Sequence, residues 1–227
     1  MSQTELFPHW DTVQRVAPIL YMDRLEPFKP IRVGVTVFEA TAPSPSFDRT
    51  VGVDPQRVRL AIEYAIYWDY DIQHLYELEH VWIYVGHDDR IVGCEGSFHG
   101  RYLVGLLRDR SNVTEDGRVK LYSQPGKHAM SPLEEVFRLL PNVETCCMEE
   151  AGKEGLLEPD MFRGEFKRGQ RDDELSERHL RTFAFRPSFD YVPHEWTTPD
   201  IFVPWSALRR EIPERMRALL ASLDSNL

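Results

Sequence analysis

Cysteine is scarce in this chain. Cys94 and the adjacent pair Cys146 and Cys147 are all that 227 residues carry. With no CxxC pair and an odd count, neither a disulfide-stapled framework nor a thiolate zinc site is expected. All three read as reduced thiols, with Cys94 a small core residue. Cys146 and Cys147 stand in "VETCCMEEA", where no histidine or basic neighbour lowers a thiol pKa, so a cysteine nucleophile is not indicated. Long apolar runs are missing too, which excludes a transmembrane helix. The N-terminal "MSQTELFPHWDTVQ" has neither a basic nor an apolar signal region, and a cytoplasmic protein is expected. Basic charge is in deficit, with 27 Lys and Arg against 37 Asp and Glu for a net charge of −10. Arg108, Arg110, Arg209, Arg210, Arg215 and Arg217 are scattered among acids, and no basic stripe with interleaved aromatics is present, so nucleic acid is not an expected partner. There is no nucleophile-elbow serine motif and no internal repeat.

What is present is the composition of a globular chain, 42% hydrophobic and 28% charged, long enough for one domain with a substantial core. "WDTVQRVAPILY" suits an early helix, and Val33, Val35 and Val37 alternate as in a strand after Pro27 and Pro30. "ATAPSPSFDRTVGVDPQ" (residues 40–56) reads as a surface loop. "VRLAIEYAIYWDY" reads as a strand, and "LEHVWIYV", "GHDD" and "RIVGCEGSF" form a hairpin pattern. "YLVGLL" and "VKLYS" flank the turn signal "TEDGR" and suggest a further strand pair. Beyond residue 130, "SPLEEVFRLL" offers Ser131 as a cap and Pro132 as first helical residue; a final helix starts near Ser206, with Pro213 breaking or kinking it. The expectation is a mainly β (α+β) chain with a sheet core and helices gathered at the N-terminus and in the C-terminal third.

"IQHLYELEHVWIYV" (residues 72–85) concentrates His74, Glu77, Glu79 and His80 at the head of an apolar strand. Residues two apart on a strand share a face, about 6.5 to 7 Å apart, so Glu77 and Glu79 point with Val81, Ile83 and Val85 toward the core. Two buried carboxylates repel unless they protonate or a cation neutralises them. A one-residue slip would instead bury Leu78, His80, Trp82 and Tyr84. His99 in "GSFHGR" and His128 in "SQPGKHAM" lie at strand ends beside Gly96, Gly100 and Gly126. Two carboxylates with two or three imidazoles suit Zn²⁺, Mn²⁺, Fe²⁺ or Ni²⁺, and Mg²⁺ if water fills much of the shell.

The ordered landmarks "APILYMDRLEPFKPIRV", "YWDYDIQHLYELEHVWIYV", "EGSFHG" and "YSQPGKHAM" resemble those of the vacuolar protein sorting-associated protein sixty-two family. The same core is similar to the necrosis- and ethylene-inducing peptide-like proteins, whose heptapeptide G-H-R-H-D-W-E supplies divalent-metal ligands in a β-sandwich. Laid on this chain, the first His of the heptapeptide falls on His74, its Asp on Glu77 and its final Glu on Glu79, and a later metal-associated His corresponds to His99. The resemblance implies one divalent ion held by these four residues. His128, Asp71 and Asp69 would serve as further ligands or as partners of ligands, and His80, on the opposite face by strand parity, as a structural residue or a partner of a ligand. Gln73, Leu75, Tyr76 and Leu78 depart from the heptapeptide, so a toxin activity is not implied. The resemblance covers about residues 15–130, read as an antiparallel β-sandwich core with residues 131–227 as helical and loop elaboration packed on it, the whole 1–227 forming a single domain.

The function expected is that of a divalent-metal-binding protein that holds a polar small molecule, such as a sugar or lipid headgroup. A metal-dependent hydrolase with a metal-activated water and a metal-free interaction module are the alternatives. No catalytic residue, metal identity or oligomeric state is read from the sequence.

Overall fold

The computed structural model describes residues 9–166, 168–194, 196 and 199–225. Residues 1–8 of the segment read for a signal sequence lie outside them. Helix α1 (Trp10–Val16) is followed by β1 (Ile19–Asp23), which the sequence reading had merged into the helix. Ala17 and Pro18 divide them, because a proline disfavours the α region for the residue before it, and Ala17 is extended at ψ 133°. Then come β2 (Arg32–Phe38), the short pair β3 (Ala42–Pro43) and β4 (Thr50–Val51), and the long antiparallel strands β5 (Leu60–Tyr70) and β6 (His74–Val85). β7 (Ile91–Phe98), β8 (Arg101–Val104), β9 (Lys120–Ser123) and β10 (Met130–Ser131) complete the first half of the topology.

The C-terminal third supplies strands as well as helices. α2 (Glu135–Arg138), α3 (Val143–Cys147), β11 (Gly155–Leu156), α4 (Gln170–Arg181), β12 (Tyr191–His194), β13 (Phe202–Pro204) and α5 (Trp205–Ser225) follow in order. The larger sheet runs β13-β2-β5-β6-β7-β8 with β11 on β6, and the smaller runs β10-β9-β1-β12. β13 and β11 join the larger sheet in parallel, whereas the β2-β5-β6-β7-β8 run is antiparallel.

Register explains how the sheets stack. Val35, Tyr64, Val81 and Gly96 lie abreast across four strands and so share one face. A Cβ on Gly96 would stand 2.7 Å from Cβ of Met130 and 3.7 Å from Leu121, so this face packs on the smaller sheet to make a β-sandwich. On the reverse face, Gly34 leaves room for Trp205 and Leu208 of α5, which a Cβ would meet at 2.8 and 3.0 Å.

Several sequence expectations are corrected. The 40–56 segment is no free loop, because Val51 and Val53 bury against Phe38, Ala61 and Trp82. "YLVGLL" and "VKLYS" do not pair with each other: β8 adds to β7, and β9 crosses to lie parallel with β1. Ser131 belongs to β10 and its Oγ accepts from the Leu133 amide at 3.1 Å, so the helix begins later, at Glu135. α5 runs through Pro213 unbroken. The expectation of a mixed, mainly antiparallel sheet protein with helices near both ends describes the structure.

Candidate metal centre

Asp71 and His74 flank the turn between the two longest strands, and Glu77 follows three residues later. On a regular strand His74 and Glu77 would face opposite sides. Tyr76 interrupts the alternation with φ 76°, and His74 Nε2 comes to lie 4.0 Å from Glu77 Oε2 and 3.8 Å from Asp71 Oδ1. One ligand atom from each of Asp71, His74 and Glu77 lies within 4.8 Å of the others. Tyr76 holds its left-handed conformation because its ring is buried against Tyr67 and Phe162.

The tautomer of His74 follows from its neighbours. Nδ1 sits 2.8 Å from the Tyr76 carbonyl, and a carbonyl only accepts, so Nδ1 carries the proton and Nε2 turns a lone pair to the acids. Burial pushes the His74 pKa down, against the pull of Asp71. Burial also opposes ionisation of Asp71, yet the Lys127 ammonium and the Gln73 amide hold its carboxyl below the usual range. Glu77 is pushed well above that range by burial and by Glu79 and Asp71. Glu79 is raised to about 7, burial outweighing a short hydrogen bond from Ser97 Oγ. These are the carboxylates that a cation would ionise.

Two residues singled out by neither spacing nor motif complete the surroundings. Lys127 Nζ stands 2.9 Å from Asp71 Oδ1. Glu154 Oε2 stands 4.0 Å from His74 Nε2, brought there by β11, whose Gly155 pairs with His74. Lys127 adjoins His128 in the same "GKHAM" turn and could have been found there; Glu154 lies in a Gly- and charge-rich stretch with no signal.

The remaining expected residues fall elsewhere. His99 is exposed at the β7–β8 hairpin, where His99 at φ 49° and Gly100 at φ 74° make the two-residue turn, and its Nε2 pairs with Gln124 Oε1 at 2.8 Å. His99 therefore stands outside the Asp71–His74–Glu77 group. His128 is fully buried, stacked on Trp68 with ring centroids 4.5 Å apart, its Nε2 3.5 Å from Glu26 Oε1. Asp69 is on the α5 face, bound by Arg215 at 2.7 Å and by the Tyr67 hydroxyl at 2.9 Å. His80 lies on the reverse face of β6, its Nε2 3.0 Å from Ser46 Oγ, beside Phe47 and Trp82. Burial pulls His80 down to about 3.

The residues fit a divalent ion by two tests. The carboxyls of Asp71 and Glu77 converge on one ring nitrogen, His74 Nε2, at 3.8 and 4.0 Å. The donor set of two carboxylates and one imidazole is oxygen-rich with one nitrogen, of the kind that Mn²⁺, Fe²⁺ or Zn²⁺ accepts.

No protein-family profile and no curated protein matches the chain. Among solved structures, seven chains match. One is described as "NLPPya in complex with glucosamine", 16% identical with a TM-score of 0.37, the match covering 53% of this chain and 64% of that one. A mannosamine complex of the same protein is 15% identical with a TM-score of 0.36, and "Toxin fold for microbial attack and plant defense" is 15% identical with a TM-score of 0.37; each covers 53% of this chain and 66% of the other. This chain thus spans less than two thirds of the length of the structures it matches.

Proposed function

We propose that this chain binds one divalent metal ion through Asp71, His74 and Glu77, with Glu79 and Glu154 beside it, and holds a polar small molecule there. The observation that carries the reading is the approach of Asp71 Oδ1 and Glu77 Oε2 to His74 Nε2, at 3.8 and 4.0 Å, with Nδ1 already committed to a carbonyl. Ligand atoms each about 2.1 Å from one ion stand about 3 to 3.5 Å apart, so the two His74 pairs need up to about 1 Å of closure, and the Asp71–Glu77 pair, within 4.8 Å, up to about 1.8 Å. When bound, the ion supplies the positive charge that two raised carboxyl groups lack and a Lewis-acid contact for a ligand oxygen. Of the acids around His74, Glu154 is half-exposed and Glu77 largely buried.

Three free cysteines, all buried, support a reducing compartment such as the cytoplasm as part of this reading. No described helix is long and apolar enough to cross a membrane. The test is metal analysis of chelator-free protein, then titration with Mn²⁺ and Zn²⁺ and with glucosamine and mannosamine as first ligands. About one ion per chain, lost in His74→Ala, is expected; substoichiometric uptake of every metal sinks the reading.

A metal-dependent hydrolase is the second reading, favoured by Glu79, a buried carboxyl beside the proposed ligands and outside the ligating group, placed to take and return a proton. Ester, phosphoester and glycoside substrates with and without Mn²⁺ separate the two, since a binding protein turns none of them over.

A further inference from the structure

We propose that Lys127 is a tethered counter-ion of this site: its ammonium occupies the Asp71 oxygen that a divalent ion needs, so ion uptake is an exchange in which Lys127 leaves. The proposal rests on the reading of Asp71, His74 and Glu77 as a metal centre.

The two oxygens of Asp71 are not equivalent. Oδ1 is the one 3.8 Å from His74 Nε2, so it is the oxygen turned to the ligand cluster. That same Oδ1 already accepts from Lys127 Nζ at 2.9 Å and from the Gln73 amide at 2.6 Å, while Oδ2 has no hydrogen-bond partner among the described residues. An ion about 2 Å from Oδ1 would stand only a few ångströms from the ammonium, and like charges at that separation away from water repel strongly. The two cations compete for this oxygen.

Lys127 is aimed at the site by its backbone. Its side chain is 12% exposed and that of Asp71 is 0% exposed. The turn that carries it is closed by Gln124 and Ala129, whose groups bond at 2.8 Å, and by the His128 amide on the Gln124 carbonyl at 2.9 Å. It is tied outward by the Gly126 amide on Glu26 Oε2 at 2.7 Å and by the Ile72 amide on the Gly126 carbonyl at 2.8 Å. Backbone and turn therefore stay put while the four-carbon stem swings. Glu154, 47% exposed at the rim, offers the released ammonium a new partner. In the empty protein the lysine keeps a fully buried aspartate paired, which an unneutralised site could not do cheaply. The consequence is a site whose ion affinity is set by Lys127, filling only when the external ion outcompetes the internal one.

The experiment is Mn²⁺ titration of the full chain and of Lys127→Met and Lys127→Arg, with trinitrobenzenesulfonate labelling of Lys127 in the unmodified protein read by peptide mass spectrometry. Binding by Lys127→Met at least about ten-fold tighter than by the unmodified chain, with Lys127→Arg no tighter, is expected. Lys127 labelling should rise on saturation with Mn²⁺. Uptake by Lys127→Met alone would equally support the exchange. Equal or weaker binding by Lys127→Met, or labelling unchanged at saturation, overturns the exchange and leaves the metal centre standing. No uptake by any of the three proteins overturns the metal reading and the exchange with it.

Discussion

The Nδ1 proton of His74 is held by the Tyr76 carbonyl at 2.8 Å, and this bond decides which imidazole nitrogen meets Asp71 and Glu77. A residue two positions ahead in the same strand thus sets the tautomer of the candidate ligand. Binding that favours the folded state stabilises it by about 2.7 kcal/mol at a concentration one hundred times Kd. For a chain of this size each kcal/mol moves Tm by about 2–4 °C. Mn²⁺ is therefore expected to raise Tm by several degrees in the unmodified protein and by none in His74→Ala, as differential scanning calorimetry would read.

Glu79 gives the site a pH signature. Its pKa in the folded chain is about 7, above the ordinary 4.5, chiefly through burial. Between those values the unfolded chain has already released a proton that the folded chain retains, so stability falls as pH rises. His80, held near 3 by burial, acts oppositely below its ordinary 6.5, so the comparison must be a difference between proteins. Relative to Glu79→Gln, the unmodified chain should lose stability from pH 4.5 towards 7 by on the order of 1 kcal/mol per pH unit, measured by urea unfolding. Saturating Mn²⁺ should flatten that slope, because an ion favours the ionised carboxyl.

His80 should behave as a structural residue. It stacks on Trp82, meets Phe47 edge-on and pairs with Ser46, which with Ser44 and Trp82 also donates to the fully buried Glu63. His80→Ala is expected to cost about 2 kcal/mol while leaving Mn²⁺ stoichiometry unchanged. Loss of the ion with stability intact would move His80 into the site.

His99→Ala is the complementary case. The side chain is exposed on a hairpin turn and contacts Gln124, so stability should change by less than about 0.5 kcal/mol and Mn²⁺ affinity should hold. A large drop in affinity by isothermal titration would return His99 to the ligand set.

Gly126→Ala should be costly for a reason local to the Lys127 turn. Gly126 has φ 70°, and a Cβ there would stand 2.7 Å from Ile72 Cγ2 and 2.8 Å from Cys147 Sγ. Strained backbone and overpacking together predict a loss of about 2–4 kcal/mol in thermal unfolding.

Strand alternation is a local rule with a period of two, and it made much of this protein legible. The long strands β5 and β6, the pairing of Glu77 with Glu79 and the separation of His80 onto the other face all follow from residues two apart along one chain segment. What alternation cannot contain is its own interruption. Tyr76 turns left-handed where Tyr67 and Phe162 pack its ring, and that turn places His74 beside Glu77. Asp71 rather than Asp69 joins the cluster because β5 ends at Tyr70, leaving Asp69 on the α5 side with Arg215. Lys127 and Glu154 arrive from 56 and 80 residues away in sequence, delivered by a turn bonded to Glu26 and by a two-residue strand laid against His74. Sequence by itself determined the long strands β5 and β6 and the acidic strand mouth, because both depend on neighbours in the chain. Tertiary structure alone decided which groups close around His74, because hydrogen bonds and packing between distant segments set those distances.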